Sequence, residues 1–417
     1  MEKDRVPGPF PGMILIRKVQ THMDYRFSDR VKNLKPSAIR EIFKYAADPE
    51  VISLSAGNPA PDAFPVEAIR KCSSDLLQEQ PIDALQYSVT EGLPALREDV
   101  TRLLSSRYGI HTPGDSLLIT SGAQQIMDLL GKSVLNEGDT VVCEEPSFIG
   151  ALNSFRSYNA VLKGVPMQPD GMDLTKLEDV LKSDPKVKFI YTIPNFQNPT
   201  GLTTSWEKRC GIYALAKKYN TLILEDNPYG DLRFAGKAVP AIKTLDTDGH
   251  VLYAGTFSKT VAPGMRVGFA AGGSALLQKM VVCKQGSDVH TNIWSQHVIH
   301  RFLHGWDFQE HLKGLQKIYA QKYAVAEKAL RETAPLLHFQ PIEGGLFIWC
   351  TLPNSIPMPE YCRQAVLHKV CVVPGNAFLT DDTAPCQSFR INYSSPTDAD
   401  LVRGIAILGK LAAQWPM

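Results

Sequence analysis

The chain has 417 residues, 44% of them hydrophobic and 21% charged, and its 44 basic and 43 acidic side chains leave a formal net charge of +1. This is ordinary soluble globular composition, long enough to bury a large core and to divide into more than one domain. The charge balance excludes the basic excess of a nucleic-acid or anionic-membrane binder, and no apolar run reaches the length of a membrane span.

Residues 1–23 mix Pro, Gly and Lys/Arg without an apolar h-region, so they do not read as a secretory signal. They are expected to be an extension, disordered or left over from expression. Eight cysteines are scattered singly from Cys72 to Cys386, with no CxxC pair. That pattern predicts reduced core thiols in a cytoplasmic protein, with no disulfide frame and no metal site.

A helix is predicted over residues 36–45. Residues 116–120 form an apolar strand, and apolar positions at helical spacing over 124–134 follow it. Strands are predicted at 140–143, 188–193, 222–225, 251–257 and 266–271, with a helix over 206–219. Strand and helix alternating with short turns indicates an α/β fold with a mostly parallel sheet. After residue 308 the pattern changes to a long charged amphipathic helix (308–332), then strands at 344–351, 370–373 and 389–393. That is the pattern of a smaller α+β domain. The predicted division is a discontinuous small domain (24–60 and 309–417) and a large domain (61–308).

Polar groups gather just after the apolar strands, where open α/β sheets place ligands. Residues 120–125 (TSGAQQ) put Gly122 before a helix whose free N–H groups suit a phosphate; the plain alternative is a strand-to-helix turn capped by Ser121. Residues 192–201 (TIPNFQNPTG) make a proline-stiffened loop around Asn198, which in the plain reading satisfies only nearby backbone. Residues 222–229 (LILEDNPY) place Asp226 at the end of a buried strand, three residues before Tyr229. A carboxylate there is costly unless paired or functional, although acidic residues also commonly begin turns. Residues 253–259 (YAGTFSK) lead to Lys259, with Arg266 seven residues on. A lone lysine of this kind is more often a surface residue than a desolvated nucleophile.

Taken in this order, the four segments resemble the fold-type I pyridoxal 5′-phosphate (PLP) aminotransferases of class I/II, from about Arg26 onward. Residues 85–92, the SGAQQ loop and residues 284–291 (KQGSDVHT) resemble the 2-aminoadipate/kynurenine, broad-specificity branch. The resemblance implies a mostly parallel seven-stranded sheet and a ping-pong exchange of amine between an L-amino acid and a 2-oxo acid. It assigns Lys259 as the Schiff-base lysine and proton carrier, Asp226 to the pyridine nitrogen, and Tyr229 and Asn198 to the ring's phenolic oxygen. Arg266, Ser258, Thr256 and the N–H groups of Ala123 and Gln124 are assigned to the phosphate, and Phe148 to ring stacking. Arg390 is assigned to the substrate α-carboxylate, and the backbone of Gly57 to the substrate border. Tyr87 is implied to reach the phosphate of a second subunit, which makes the active unit a homodimer with shared sites. Arg40 matches a position that reads a distal carboxylate in some relatives; an ordinary exposed arginine on the predicted 36–45 helix is the alternative.

Two other functions remain open on sequence. A lyase, decarboxylase or racemase could use the same fold, because PLP permits any Cα bond to break. A PLP-sensing regulator would need a DNA-binding module, and only about 25 residues precede the matched region.

Overall fold

The apolar runs pair side by side in one central sheet of this computed structural model, which describes residues 25–32, 48, 50–111 and 113–415. After a two-residue strand, β1 (Ile52–Ser53), come β2 (Asp115–Thr120), β3 (Thr140–Glu145), β4 (Val161–Gln168), β5 (Gly171–Met172), β6 (Val187–Thr192), β7 (Leu222–Asp226), β8 (Val251–Thr256) and β9 (Gly268–Gly273). The sheet order is β2-β9-β8-β7-β6-β3-β4-β5. Pairing is parallel from β8 through β7, β6 and β3 to β4, whereas β9 runs antiparallel to both its neighbours. The expected seven strands are the long ones, and the two-residue β5 adds an eighth by folding back on the end of β4.

The central strands are buried on both faces, which is why they read as continuous apolar runs rather than alternating ones. Their side chains still alternate: Val142, Ile190 and Ile223 face one helical layer, and Cys143, Phe189, Tyr191 and Leu224 face the other. β4 was not predicted because Lys163, Gly164 and Pro166 interrupt its apolar pattern. Close to the sheet edge such residues are tolerated, and a side chain at Gly164 would meet the Glu145 carboxylate. The strand predicted from residue 266 begins instead at Gly268. Residues 263–265 form a 3₁₀ turn, and Arg266 adopts a left-handed conformation with φ 54°, which aims its side chain back across the sheet end.

The smaller sheet contains β10 (His338–Phe339), β11 (Phe347–Thr351), β13 (Val373–Pro374) and β14 (Ser388–Asn392), all antiparallel. The single strand expected at 370–373 is split. β12 (Val370–Cys371) pairs in parallel with β1, while β13 pairs with β14. One helix, Phe308–Thr333, serves both cores. Its first half (Phe308, Leu312, Leu315, Tyr319) packs under the central sheet, and its second half (Tyr323, Ala326, Ala329, Leu330) under the smaller one. Asp307 caps it by accepting from the Glu310 N–H. The extension at 1–23, the helix expected at 36–45 and Arg40 lie outside the described residues.

Lys243 is fully buried between the carboxylates of Asp115 (2.8 Å) and Asp246 (2.7 Å), and donates to the Val251 carbonyl at 2.8 Å. It ties the start of β2 to the start of β8. Removing one partner of a buried ion pair strands the other, at a cost of about 3–5 kcal/mol. Lys243→Ala is therefore expected to lower the unfolding free energy by about that amount in urea titrations. A loss below about 1 kcal/mol would contradict the stated role.

Candidate active site

Five strands of the central sheet end in polar residues on one edge: Thr120, Glu145, Thr192, Asp226 and Thr256. Beyond that edge lies a cavity of about 330 Å³ lined by Gly57, Ala123, Gln124, Phe148, Asn198, Asp226, Tyr229, Thr256, Ser258, Lys259, Arg266 and Arg390, with Met127, Ile193 and Phe347 among its apolar walls. Among the described residues, the cavity brings together every residue assigned to the site from the sequence except Tyr87; Arg40 lies outside the described residues. Tyr87 is 83% exposed and lies outside this cavity, its ring edge-on to His290 at 5.9 Å. Larger clefts of about 680 and 550 Å³ open elsewhere on the surface, and neither contains the lysine or Asp226.

Asp226 is almost completely buried. Its Oδ2 accepts from the Tyr191 hydroxyl at 2.9 Å, while Oδ1 has no hydrogen-bond partner among the described residues. Burial raises its pKa to about 7; the Tyr191 hydrogen bond opposes that rise, and the nearby Glu144 adds to it. An unsatisfied carboxylate oxygen facing a cavity is costly unless a donor arrives there.

Lys259 donates to the Gly57 carbonyl at 2.8 Å. Burial lowers its pKa to about 8, and the positive charges of Arg390 and Arg266 push in the same direction. Near neutral pH its amine is therefore far more readily deprotonated than that of a surface lysine.

Arg390, on β14, reaches the cavity from the smaller sheet. Its Nη1 donates to Asn198 Oδ1 at 2.8 Å and its Nη2 to the Ser55 carbonyl at 2.6 Å, while Nε has no partner. The guanidinium carbon sits 4.2 Å from the Phe347 ring centroid and 5.0 Å from that of Phe378. Burial lowers its pKa to about 10, which still leaves it charged. Asn198 Nδ2 lies 3.4 Å from the Tyr229 hydroxyl, so a single amide touches both the arginine and the phenol.

At the other end, Arg266 Nη1 approaches Ser258 Oγ (3.5 Å) and Nη2 donates to the Ser121 carbonyl (3.2 Å). Thr256 Oγ1 donates to Ser258 Oγ at 2.9 Å. Gly122 has φ 77° and precedes the Ala123–Val134 helix; a Cβ on it would strike the Arg266 guanidinium. Gly268 lies beneath, where a Cβ would come within 2.8 Å of the Gly122 carbonyl carbon. Close approach thus excludes a side chain at both positions, and the positive φ of Gly122 favours glycine as well. The first N–H groups of the helix have no intrahelical acceptor and point to the arginine's end of the cavity. The Gln124 side chain turns away, donating to the Gly150 carbonyl and Ser154 Oγ at 2.8 Å each, so only its backbone N–H is available.

The cavity therefore holds three basic groups and one carboxylate. A ligand that fits has an anionic group at the Arg266 end, a second at Arg390, and a proton-bearing nitrogen opposite Asp226. Tyr191, the Ser55 carbonyl, Phe347 and Phe378 were not foreseen. Each looks like an ordinary core residue in sequence, and the only signal was the hydroxyl of Tyr191, which needs a partner once buried in β6. Among the described residues, Asp99, His300 and His304 cluster away from the cavity, with Arg102 also bonded to Asp99.

The chain matches the family model described as aminotransferase class I and II over residues 49–408. It is 36% identical to aromatic-amino-acid aminotransferase 1 of Thermococcus litoralis, over 93% of this chain and 94% of that one. It is 34% identical to the 2-aminoadipate transaminase of Thermus thermophilus, over 92% and 96%. The crystal structure of Pyrococcus horikoshii kynurenine aminotransferase in complex with PMP superposes with a TM-score of 0.90 at 36% identity, covering 93% of this chain and 97% of that one.

The raised pKa of Asp226 has a signed consequence for the ligand-free protein. Between its ordinary value near 4 and about 7, the folded carboxyl keeps a proton that the unfolded chain releases. The folded state then binds more protons, so its stability falls as pH rises through that window. Asp226→Asn removes this contribution. Urea unfolding at pH 4.5 and 7.5 should show the ligand-free parent losing about 2 kcal/mol or more relative to the variant. Identical pH slopes would show that the carboxyl does not carry this penalty.

Proposed function

The chain belongs to the class I and II aminotransferase family, and on that premise we propose which of its residues perform the reaction and on which substrates. It is a PLP-dependent aminotransferase of fold type I. The observation that carries the site assignment is the unpartnered Oδ1 of buried Asp226 in one cavity with Lys259 and Arg266. When bound, the cofactor supplies a carbonyl that takes up an amine and a ring that accepts the electron pair left at the substrate Cα.

The residues fit that group. Asp226 Oδ1 receives the protonated ring nitrogen and keeps it charged. Arg266, Ser258, Thr256 and the N–H groups of Ala123 and Gln124 hold the phosphate, and Phe148 packs on the ring. Tyr229 and Asn198 donate to the phenolic oxygen. Lys259, with its lowered pKa, first holds the cofactor and then carries a proton to and from the substrate Cα. Arg390 binds the substrate α-carboxylate. Its Nη groups are held by Asn198 and Ser55, so the guanidinium does not have to be ordered when substrate arrives. The Gly57 backbone borders the substrate. A side chain there would press on Phe347 at 3.0 Å.

The donor range is 2-aminoadipate, glutamate and aromatic or branched-chain amino acids, with 2-oxoglutarate as acceptor; Arg40 reads the distal carboxylate of the dicarboxylic donors. The proposed division is a small domain (24–60 and 309–417) around a large one (61–308); two separate cores support it, with the Phe308–Thr333 helix contributing to both. The active unit is a cytoplasmic homodimer. Its support is an exposed apolar stretch, Ile82, Leu85, Tyr87 and Val89, leading to the tyrosine assigned to the second subunit's phosphate. The eight cysteines are all free, as a reducing compartment requires. No helix among the described residues is long and apolar enough to cross a membrane.

Lys259→Ala protein should lose the imine absorbance and turnover, and full activity in that variant would end the assignment. Given an amino acid without a 2-oxo acid, the parent should stop after one equivalent of oxo product. Continued release from amino acid alone would identify a lyase or decarboxylase instead. In initial-rate measurements across donors, Arg40→Ala should reduce kcat/KM at least about 10-fold for glutamate and 2-aminoadipate and leave phenylalanine and leucine within about 2-fold. A uniform change would remove Arg40 from the substrate pocket.

A further inference from the structure

We propose that Lys284 and Asp288, which do not line the cavity, form a positioning pair that sets the phosphate-binding turn; this rests on the cofactor reading above. Lys284 lies in the last turn of the Ser274–Gln285 helix, and its side chain is fully buried. Its ammonium donates to both carboxylate oxygens of Asp288, at 2.7 and 2.9 Å, and to Gln125 Oε1 at 2.7 Å. Asp288 Oδ2 in turn accepts from Ser121 Oγ at 2.7 Å and Gln125 Nε2 at 2.8 Å. Gln125 Oε1 also accepts from the Ser121 backbone N–H at 2.8 Å.

Every polar handle of Ser121 is therefore held. Its N–H is fixed by Gln125, its hydroxyl by Asp288, and its carbonyl by Arg266 at 3.2 Å. Ser121 directly precedes Gly122 and the N–H groups of Ala123 and Gln124. Fixing it fixes both the direction of those donors and one acceptor that orients the Arg266 fork. The chain accepts local strain to do so. Val289, next to Asp288, has φ 64°, a conformation that is strained for a β-branched residue.

The sign of the pair matters as much as its hydrogen bonds. A carboxylate one residue from a phosphate-binding turn repels a dianion unless a cation neutralises it. Lys284, which does not line the cavity, supplies that cation. Asp288 can then orient the turn without opposing the ligand.

The test compares PLP with pyridoxal, which lacks the phosphate, by fluorescence titration of the full-length cofactor-free protein. Lys284→Met leaves the Asp288 charge uncompensated and should weaken PLP binding about 10–100-fold while pyridoxal changes by less than about 3-fold. Asp288→Asn keeps the shape and loses the charged acceptor, so its PLP-specific loss should be smaller, about 3–10-fold. The double variant should bind PLP more tightly than Lys284→Met alone. Equal weakening for both ligands, or an unchanged ratio, would overturn the inference. If Lys284→Met does not fold, the ratio measured for Asp288→Asn decides. A parent protein that binds neither ligand would instead overturn the cofactor reading itself.

Discussion

The interaction on which the site depends is the one Asp226 does not make. A carboxylate with both oxygens satisfied would be a structural residue at the end of β7. One that is buried, bonded on one oxygen only, and raised to about 7 leaves the folded state incomplete until a cationic donor reaches Oδ1. That cost is sustained because the strand carrying Asp226 is flanked on both sides by parallel neighbours and buried on both faces. No local rearrangement would expose the group to water without breaking the centre of the sheet.

The opposing charges arrive from separate parts of the chain. Arg266 is delivered by the turn before β9, Lys259 by the loop after β8, and Arg390 by β14 of the smaller sheet. Three cations that line one cavity repel one another. Their pairwise effect is visible in Lys259, whose pKa both arginines push down. The same repulsion favours the deprotonated amine, the form that the proposed role of Lys259 needs, and anionic groups on a ligand would relieve it. Asn198 joins the halves, because its amide oxygen takes Arg390 while its nitrogen lies by Tyr229.

The central strands and most of the cavity were legible in the sequence, for a physical reason. A parallel strand buried on both faces needs an apolar run, and polar residues directly after such runs stand out. Arg390 was legible only by resemblance, since an arginine inside a short strand of the smaller sheet looks like an edge charge. The contacts that orient it, the Ser55 carbonyl and the faces of Phe347 and Phe378, carry no sequence signal, because backbone and core aromatics occur everywhere. β4 was hidden by Gly164 and Pro166. The split between β12 and β13 was hidden because valine and cysteine suit either pairing partner. The helices over Val66–Glu79 and Ile293–Gly305 lie outside the strand-and-motif alternation, so that alternation does not mark them.

Alternation along β7 explains how one strand end can carry two acids with opposite duties. Glu225 and Asp226 are neighbours, so they project to opposite faces of the sheet. Glu225 accepts from the backbone N–H groups of Ile242 and Lys243 at 2.8 and 2.7 Å and has no role in the cavity. On β3, Glu144 is likewise satisfied, by the Ile193 N–H at 3.1 Å and by the side chains of Thr192 and Gln197. Burial raises the pKa of all three acids, yet only Asp226 is left an unpartnered oxygen. Glu144 and Glu225 spend their oxygens on backbone and loop donors, and in doing so they fix the loop that carries Asn198 and the turn beneath β8. A raised carboxyl pKa alone would not single out the functional acid among these three. The unfilled hydrogen-bonding position does, and it exists because the two structural acids hold the surrounding backbone too firmly for it to fold in and satisfy Asp226.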